Sequence, residues 1–240
     1  MMPKVLHFPK TWMIAGVIVA FAAGVVLCIE YGWLSRQPVA STPSQPVDVQ
    51  AVRAKAEAGD APAQAQLGRL CLDDVGLTNR FAEAARWFGR GAEQGNADAQ
   101  TGMAELYEAG RGVDRNPAKA IEFYQLAAKQ GHATAQYALG FAYLTGRGVP
   151  QDQVEATKWF RMAAEQGNPL AQYDLGQRYM LGLGVALDQV EAMKWFTLAA
   201  DQGQPDAAQQ RDLLKKTMRS SDIAEARRRA AGVQNTRGGR

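Results

Sequence analysis

Residues 135–167 read AQYALGFAYLTGRGVPQDQVEATKWFRMAAEQG, and residues 171–203 read AQYDLGQRYMLGLGVALDQVEAMKWFTLAADQG. The second stretch restates the first at a distance of 36 residues, and working outward the same spacing recurs. It relates Gly59, Gly95, Gly131, Gly167 and Gly203. It also relates Trp87, Phe123, Trp159 and Trp195, and the rings that follow them, Phe88, Tyr124, Phe160 and Phe196. Ala63-Gln64, Ala99-Gln100, Ala135-Gln136 and Ala171-Gln172 keep it too. Residues 131–166 and 167–202 share 21 of 36 positions, too many for chance, so the chain carries a tandem array.

Each unit divides into two helices. Ala135, Leu139 and Tyr143 fall at i, i+4 and i+8 on one helical face, with Gly140 leaving room for close approach. Gly146-Arg147-Gly148-Val149 interrupts the pattern; the glycines accept positive φ and Val149 can turn into the core. Asp152 with Glu155, and Asp188 with Glu191, have capping-box spacing and predict second helices that start there. Asn116-Pro117 predicts the same start in the second unit. Ala156, Trp159, Phe160, Ala163 and Ala164 then make an apolar face, the tryptophans being expected in the core, and Gly167 stops the helix. A helix pair of this size cannot bury such a face alone, so the units are expected to stack into an all-α solenoid.

The pattern AQYxLGxxYxxGxGVxxDxxxAxKWFxxAAxQG resembles the Sel1-like repeat, a 36-residue relative of the tetratricopeptide repeat. The resemblance implies a right-handed α-solenoid with repeats at 59–94, 95–130, 131–166 and 167–202, and a bacterial protein that acts as an interaction adaptor. The first repeat departs from the pattern. Cys71 replaces the Tyr of the other three, and the turn Asp73-Asp74-Val75-Gly76 lacks the first glycine, so its geometry is expected to differ. Residues 48–58 read as an amino-terminal capping helix. Residues 203–231 read as closing helices, one over Pro205 to Met218 and one capped by Ser221 or Asp222 and running through Arg229. Residues 232–240 read as a disordered basic tail.

At the other end, residues 1–10 are expected to be a cytoplasmic terminus, 11–34 a membrane anchor and 35–47 a Pro/Ser-rich linker. Thr11 to Ile29 holds nineteen residues without a charge, about 28 Å as a helix, enough to cross the hydrocarbon core. A cleaved signal peptide, leaving a secreted product, is the competing reading, but Glu30-Tyr31-Gly32-Trp33-Leu34 lacks a small-x-small cleavage pattern. Lys4 and Lys10 precede the run, which predicts a single-pass inner-membrane protein with a cytoplasmic amino terminus and periplasmic repeats. Gly16, Ala20 and Gly24 form a small-residue stripe that reads either as a homodimer face or as ordinary membrane-helix composition.

Charge is segregated. Residues 211–240 carry +6 and residues 1–210 carry −3, so the net +3 describes neither. Arg227, Arg228 and Arg229 are candidate contacts for an anionic partner, lipid or wall polymer, against the plainer reading of a solvated cap. No base-stacking motif accompanies them, and no nucleic-acid partner is expected.

At 100° per residue, the first-helix face opposite the core carries Tyr137, Phe141 and Leu144 in repeat three, and Tyr173, Gln177 and Met180 in repeat four. Repeats one and two place Ala65, Arg69, Leu72 and Thr101, Glu105, Glu108 there. The resemblance places first helices on the concave side, which makes the aromatic and apolar stripe the candidate groove for a protein or peptide partner; packing on the neighbouring repeat is the other reading. Two cysteines and two histidines leave no raw material for a disulfide framework or a metal site, and no cofactor is expected. His132, just after a helix-stopping glycine, is expected to be exposed. No Ser-x-x-Lys, Gly-x-Ser-x-Gly or His-Glu-x-x-His pattern occurs, so the chain is expected not to be an enzyme. The leading reading is a non-enzymatic periplasmic scaffold; the alternatives are peptidoglycan-associated envelope remodelling or β-lactamase-like activity, the latter seen in cysteine-rich relatives.

Overall fold

The computed structural model describes residues 47–74 and 76–238. The expected membrane helix, its stripe of Gly16, Ala20 and Gly24, and the linker up to residue 46 lie outside the described residues. Among the described residues eleven helices follow one another: α1 Val49–Glu57, α2 Ala61–Asp73, α3 Arg80–Glu93, α4 Ala97–Ala109, α5 Pro117–Lys129, α6 Ala133–Thr145, α7 Gln153–Glu165, α8 Pro169–Leu181, α9 Gln189–Asp201, α10 Pro205–Thr217 and α11 Ser220–Gly238. Each helix packs on the next through α10, and α11 folds back onto α9. The result is a solenoid of antiparallel helix pairs, with α1 closing one end and α10–α11 the other.

Local chemistry sets the boundaries. Asp60, Asn96 and Asn168, 36 residues apart in register, accept from the backbone N–H three residues on at 2.7, 2.9 and 3.0 Å and so cap the first helices. Asp152 and Asp188 cap α7 and α9 by accepting from two N–H groups each. The reciprocal half of the expected capping box is not made: the Asp152 and Asp188 N–H groups donate to the Tyr143 and Tyr179 carbonyls, and Glu155 and Glu191 turn to Lys158 and Lys194. Helices α4, α6 and α8 end in left-handed glycines, Gly110, Gly146 and Gly182. In the first repeat α2 runs instead into an extended Asp74, and Asn79 precedes α3 without a side-chain cap, as the missing glycine predicts.

In repeats one, three and four the core is one ring against one glycine; repeat two sets Ala104 and Tyr124 at those registers. Phe160 and Phe196 are fully buried, and a Cβ on Gly140 or Gly176 would stand 2.7 or 2.8 Å from the ring. The tryptophan expectation needs correction: Trp195 is buried, but Trp87 and Trp159 are half-buried at the seams of the repeats, and the following ring fills the core. A ladder of glutamines runs along the array, tying together the two helices within each repeat. Gln64, Gln100, Gln136 and Gln172 are buried, and each side-chain oxygen accepts from a glutamine thirty residues on, Gln94, Gln130, Gln166 and Gln202, at 2.6–2.8 Å. Gln64, Gln136 and Gln172 also donate to carbonyls of the preceding helix. Buried amides with both functions satisfied fix the register of one repeat on the next.

The last helix exceeds its expected length. It begins at Ser220 and continues through Gly238, so residues 232–238, expected to be disordered, are helical. Ala226 and Ala230 are buried in the seam and Val233 packs beside them.

Candidate functional site

The six expected residues on α6 and α8 are all half-buried, and three of them, Tyr137, Tyr173 and Met180, pack on the core rather than opposite it. They divide by what they touch. The Tyr137 ring packs on Phe160 with centroids 5.5 Å apart, and its hydroxyl donates to Asp174 on α8. The Tyr173 ring packs on Phe196 at 5.8 Å, and Gln177 donates to its hydroxyl. Met180 packs against the cluster around Met193 and Phe196. These residues therefore join helices. Phe141 and Leu144, also half-buried, lie outside the five buried clusters.

Asp174 is the residue that periodicity did not single out. It replaces Gln66, Gly102 and Ala138 of the other repeats and stands beside the stripe. Burial pushes its carboxyl from 3.8 up to about 6, although the Tyr137 hydroxyl and the Arg178 charge pull the other way. Arg178, at the register of Leu70, Leu106 and Ala142, is buried as well. Its guanidinium lies 5.0 Å above the Phe160 ring and donates to Gln153 Oε1 at 2.9 Å and to Thr157.

Toward the amino-terminal end the same face is polar. Glu108 accepts from the Tyr124 hydroxyl at 3.1 Å and from Arg147 of the next turn at 2.7 Å, an ion pair that crosses the repeat boundary. The crevice there has a volume near 10 Å³, room for about one water. Burial raises the Glu105 carboxyl, partly offset by Arg69. His132 is not exposed as expected. It caps α6: Nδ1 accepts from Ala135 N–H at 3.3 Å and stands 3.0 Å from Thr101 Oγ1, while Nε2 lies 3.0 Å from Asp98. Accepting at Nδ1 assigns the proton to Nε2, which donates to Asp98 and lowers its carboxyl pKa. The signal was present in the register, where Asp60, Asn96 and Asn168 are all caps.

The three arginines of the last helix separate. Arg229 donates to Glu191 of α9 at 2.8 Å and to Glu225, Arg228 pairs with Glu225, and Arg227 is exposed. Arg229 thus docks α11 on the array. Among the described residues no three His, Cys, Asp or Glu side chains are placed to share a metal ion, and no helix is long and apolar enough to cross a membrane.

Comparison with known proteins is consistent with this geometry. The family model described as "Sel1 repeat" matches residues 61–96, 97–132, 133–168 and 169–204, more than half of the chain. A Sel1 repeat protein from Oxalobacter formigenes is similar in structure, with 37% identity and a TM-score of 0.63 over 69% of this chain and 48% of that one. A protective antigen of uropathogenic Escherichia coli displaying an SLR fold is 29% identical, with a TM-score of 0.52 over 77% of this chain and 48% of its own. The chain spans about half the length of each. No curated protein matches it.

Proposed function

Because the chain belongs to the Sel1 repeat family, whose members are generally protein-interaction scaffolds and typically non-enzymatic, we propose that it is an adaptor whose first-helix face captures a protein partner. The observation that carries this reading is the half-buried apolar pair Phe141 and Leu144, outside the buried clusters on helix α6, while Tyr137, Tyr173 and Asp174 are already committed between helices. A rigid backdrop with an open apolar strip suits an extended peptide or a partner helix. The uncharged run Thr11 to Ile29 supports an inner-membrane anchor, with the array displayed on the periplasmic side.

Two measurements test this. A photoreactive residue at position 141 of the full chain in bacterial membranes is expected to cross-link one discrete protein, and Leu144→Gln to reduce that product at least fivefold without moving the melting temperature. An unchanged cross-link, or none, refutes the groove. A carboxyl-terminal reporter active only outside the cytoplasm tests the compartment; activity on the cytoplasmic side overturns it.

A further inference from the structure

Leu181, Leu183 and Leu187 lie on the α8–α9 turn and are exposed at 56, 41 and 63%. At the same register repeat three carries Thr145, Arg147 and Gln151, and repeat two carries Ala109, Arg111 and Arg115. All of these except Ala109 are polar or charged and have partners. Arg147 pairs with Glu108, Arg111 covers the Phe81 ring at 5.3 Å, and Gln151 and Arg115 donate to the Leu144 and Glu108 carbonyls at 2.8 and 3.2 Å. A leucine can do none of this. Repeat four has exchanged several stabilising contacts for apolar surface in water, a trade that makes sense only if something covers the turn.

The turn is firmly held. Thr157 donates to the Leu183 carbonyl at 3.0 Å, and Gly184 lies so close to α7 that a Cβ would stand 2.2 Å from the Gln153 carbonyl oxygen. Val154, exposed at 51%, begins that same stretch of α7. Since alternate helices run in one direction, α10 ends on the edge where α8 ends, and its last turn presents exposed Lys215 and Lys216. The edge therefore joins an apolar prow to a cationic flank.

We propose that this edge is a bilayer-contact site, in which Leu181, Leu183 and Leu187 enter the boundary between headgroups and acyl chains of an anionic membrane while Lys215 and Lys216 face the headgroups. The three leucines expose on the order of 300 Å², well short of the roughly 800 Å² per partner that a stable dimer takes, but ample for shallow insertion. Paired charge and apolar surface is the combination that an anionic interface rewards. The proposal rests on the anchored reading above only for the supply of a bilayer.

The test uses the fragment 48–240, a compact unit of its own that contains the eleven helices and five buried clusters found among the described residues. Flotation with vesicles of phosphatidylglycerol and phosphatidylcholine is expected to carry the fragment, and phosphatidylcholine alone to carry at least fivefold less. Leu181→Thr, Leu183→Gln and Leu187→Gln together are expected to cut partitioning at least tenfold, with an unchanged melting temperature. Lys215→Glu with Lys216→Glu is expected to remove the preference for anionic lipid. Failure of the wild-type fragment to float, or equal flotation of the leucine variant, overturns the proposal. So does leucine-dependent dimerisation in sedimentation velocity, which would make the edge a self-association surface. Because the fragment lacks the apolar run, none of these outcomes depends on whether that run is an anchor.

Discussion

Replacing Asp174 by Asn is expected to stabilise the protein, and the sign follows from its surroundings. The carboxyl moves from 3.8 in the unfolded chain to about 6 in the folded one because burial disfavours its charged form. Between these values the folded state binds more protons than the unfolded state, so stability falls as pH rises through the window. The cost is complete above about pH 7 and absent below about pH 3; at about 1.4 kcal/mol per pKa unit it reaches roughly 3 kcal/mol. Asn removes the charge and keeps an acceptor for the Tyr137 hydroxyl, but adds an N–H pair that the site does not serve, at about 1 kcal/mol. A net gain of about 2 kcal/mol is expected at pH 7.5, shrinking toward zero by pH 4. Urea unfolding of the 48–240 fragment at the two pH values, by circular dichroism, measures both numbers. A variant less stable than wild type at pH 7.5, or a gain of equal size at both, would refute the reasoning.

Three further outcomes follow from the packing. Gly140→Ala sets a methyl 2.7 Å from a ring with no room to retreat, so a loss of about 1–2 kcal/mol is expected after the better helix propensity of Ala is counted, read as a lower urea midpoint. Gln136→Leu strips Gln166 of its acceptor and is expected to cost about 1 kcal/mol, with hydrogen exchange rising first at the seam between α5 and α6; a stabilised variant would show the ladder to be dispensable. His132→Asn keeps the cap, as Asn96 and Asn168 do, but loses the tie to Asp98. Since that tie holds the Asp98 carboxyl below its usual range, its contribution exists above about pH 4 and disappears as pH falls through the folded value. The deficit of the variant, no more than about 1 kcal/mol at pH 7 because Asp98 is largely exposed, should fade on acidification.

The period made the helix pairs legible before any coordinates, because a 36-residue spacing of glycine stops, caps and rings admits one packing solution. What it could not resolve was the division of labour inside a conserved register. Trp159 and Phe160 are adjacent, both apolar and both periodic, and only the reach of the ring toward Gly140 decides that the phenylalanine fills the core while the tryptophan seals the seam. His132 shows the reverse: its place just after a helix-stopping glycine suggests exposure, whereas its register, shared with three caps, determines its role. The end of α11 escaped because small residues at 226, 230 and 233 carry little apolar signal until α9 provides the surface they fill.

The departures from the period are therefore the more informative positions. A repeat array tolerates its consensus residue at every register, since each copy demonstrates the fit; a copy that departs in an unfavourable direction needs a reason outside folding. Repeat four does so twice. It buries a carboxylate where its siblings have Gln66, Gly102 and Ala138, and it exposes three leucines where repeats two and three carry, apart from Ala109, partnered polar side chains. Both departures weaken the isolated array, one by desolvation and one by lost hydrogen bonds. One stands beside the first-helix face and the other at the turn that ends the same helix, so on the readings proposed above α8 is the element that partner binding and surface contact share, and the two sets of variants separate them: Asp174→Asn alters the first-helix face alone, the leucine variant the turn alone.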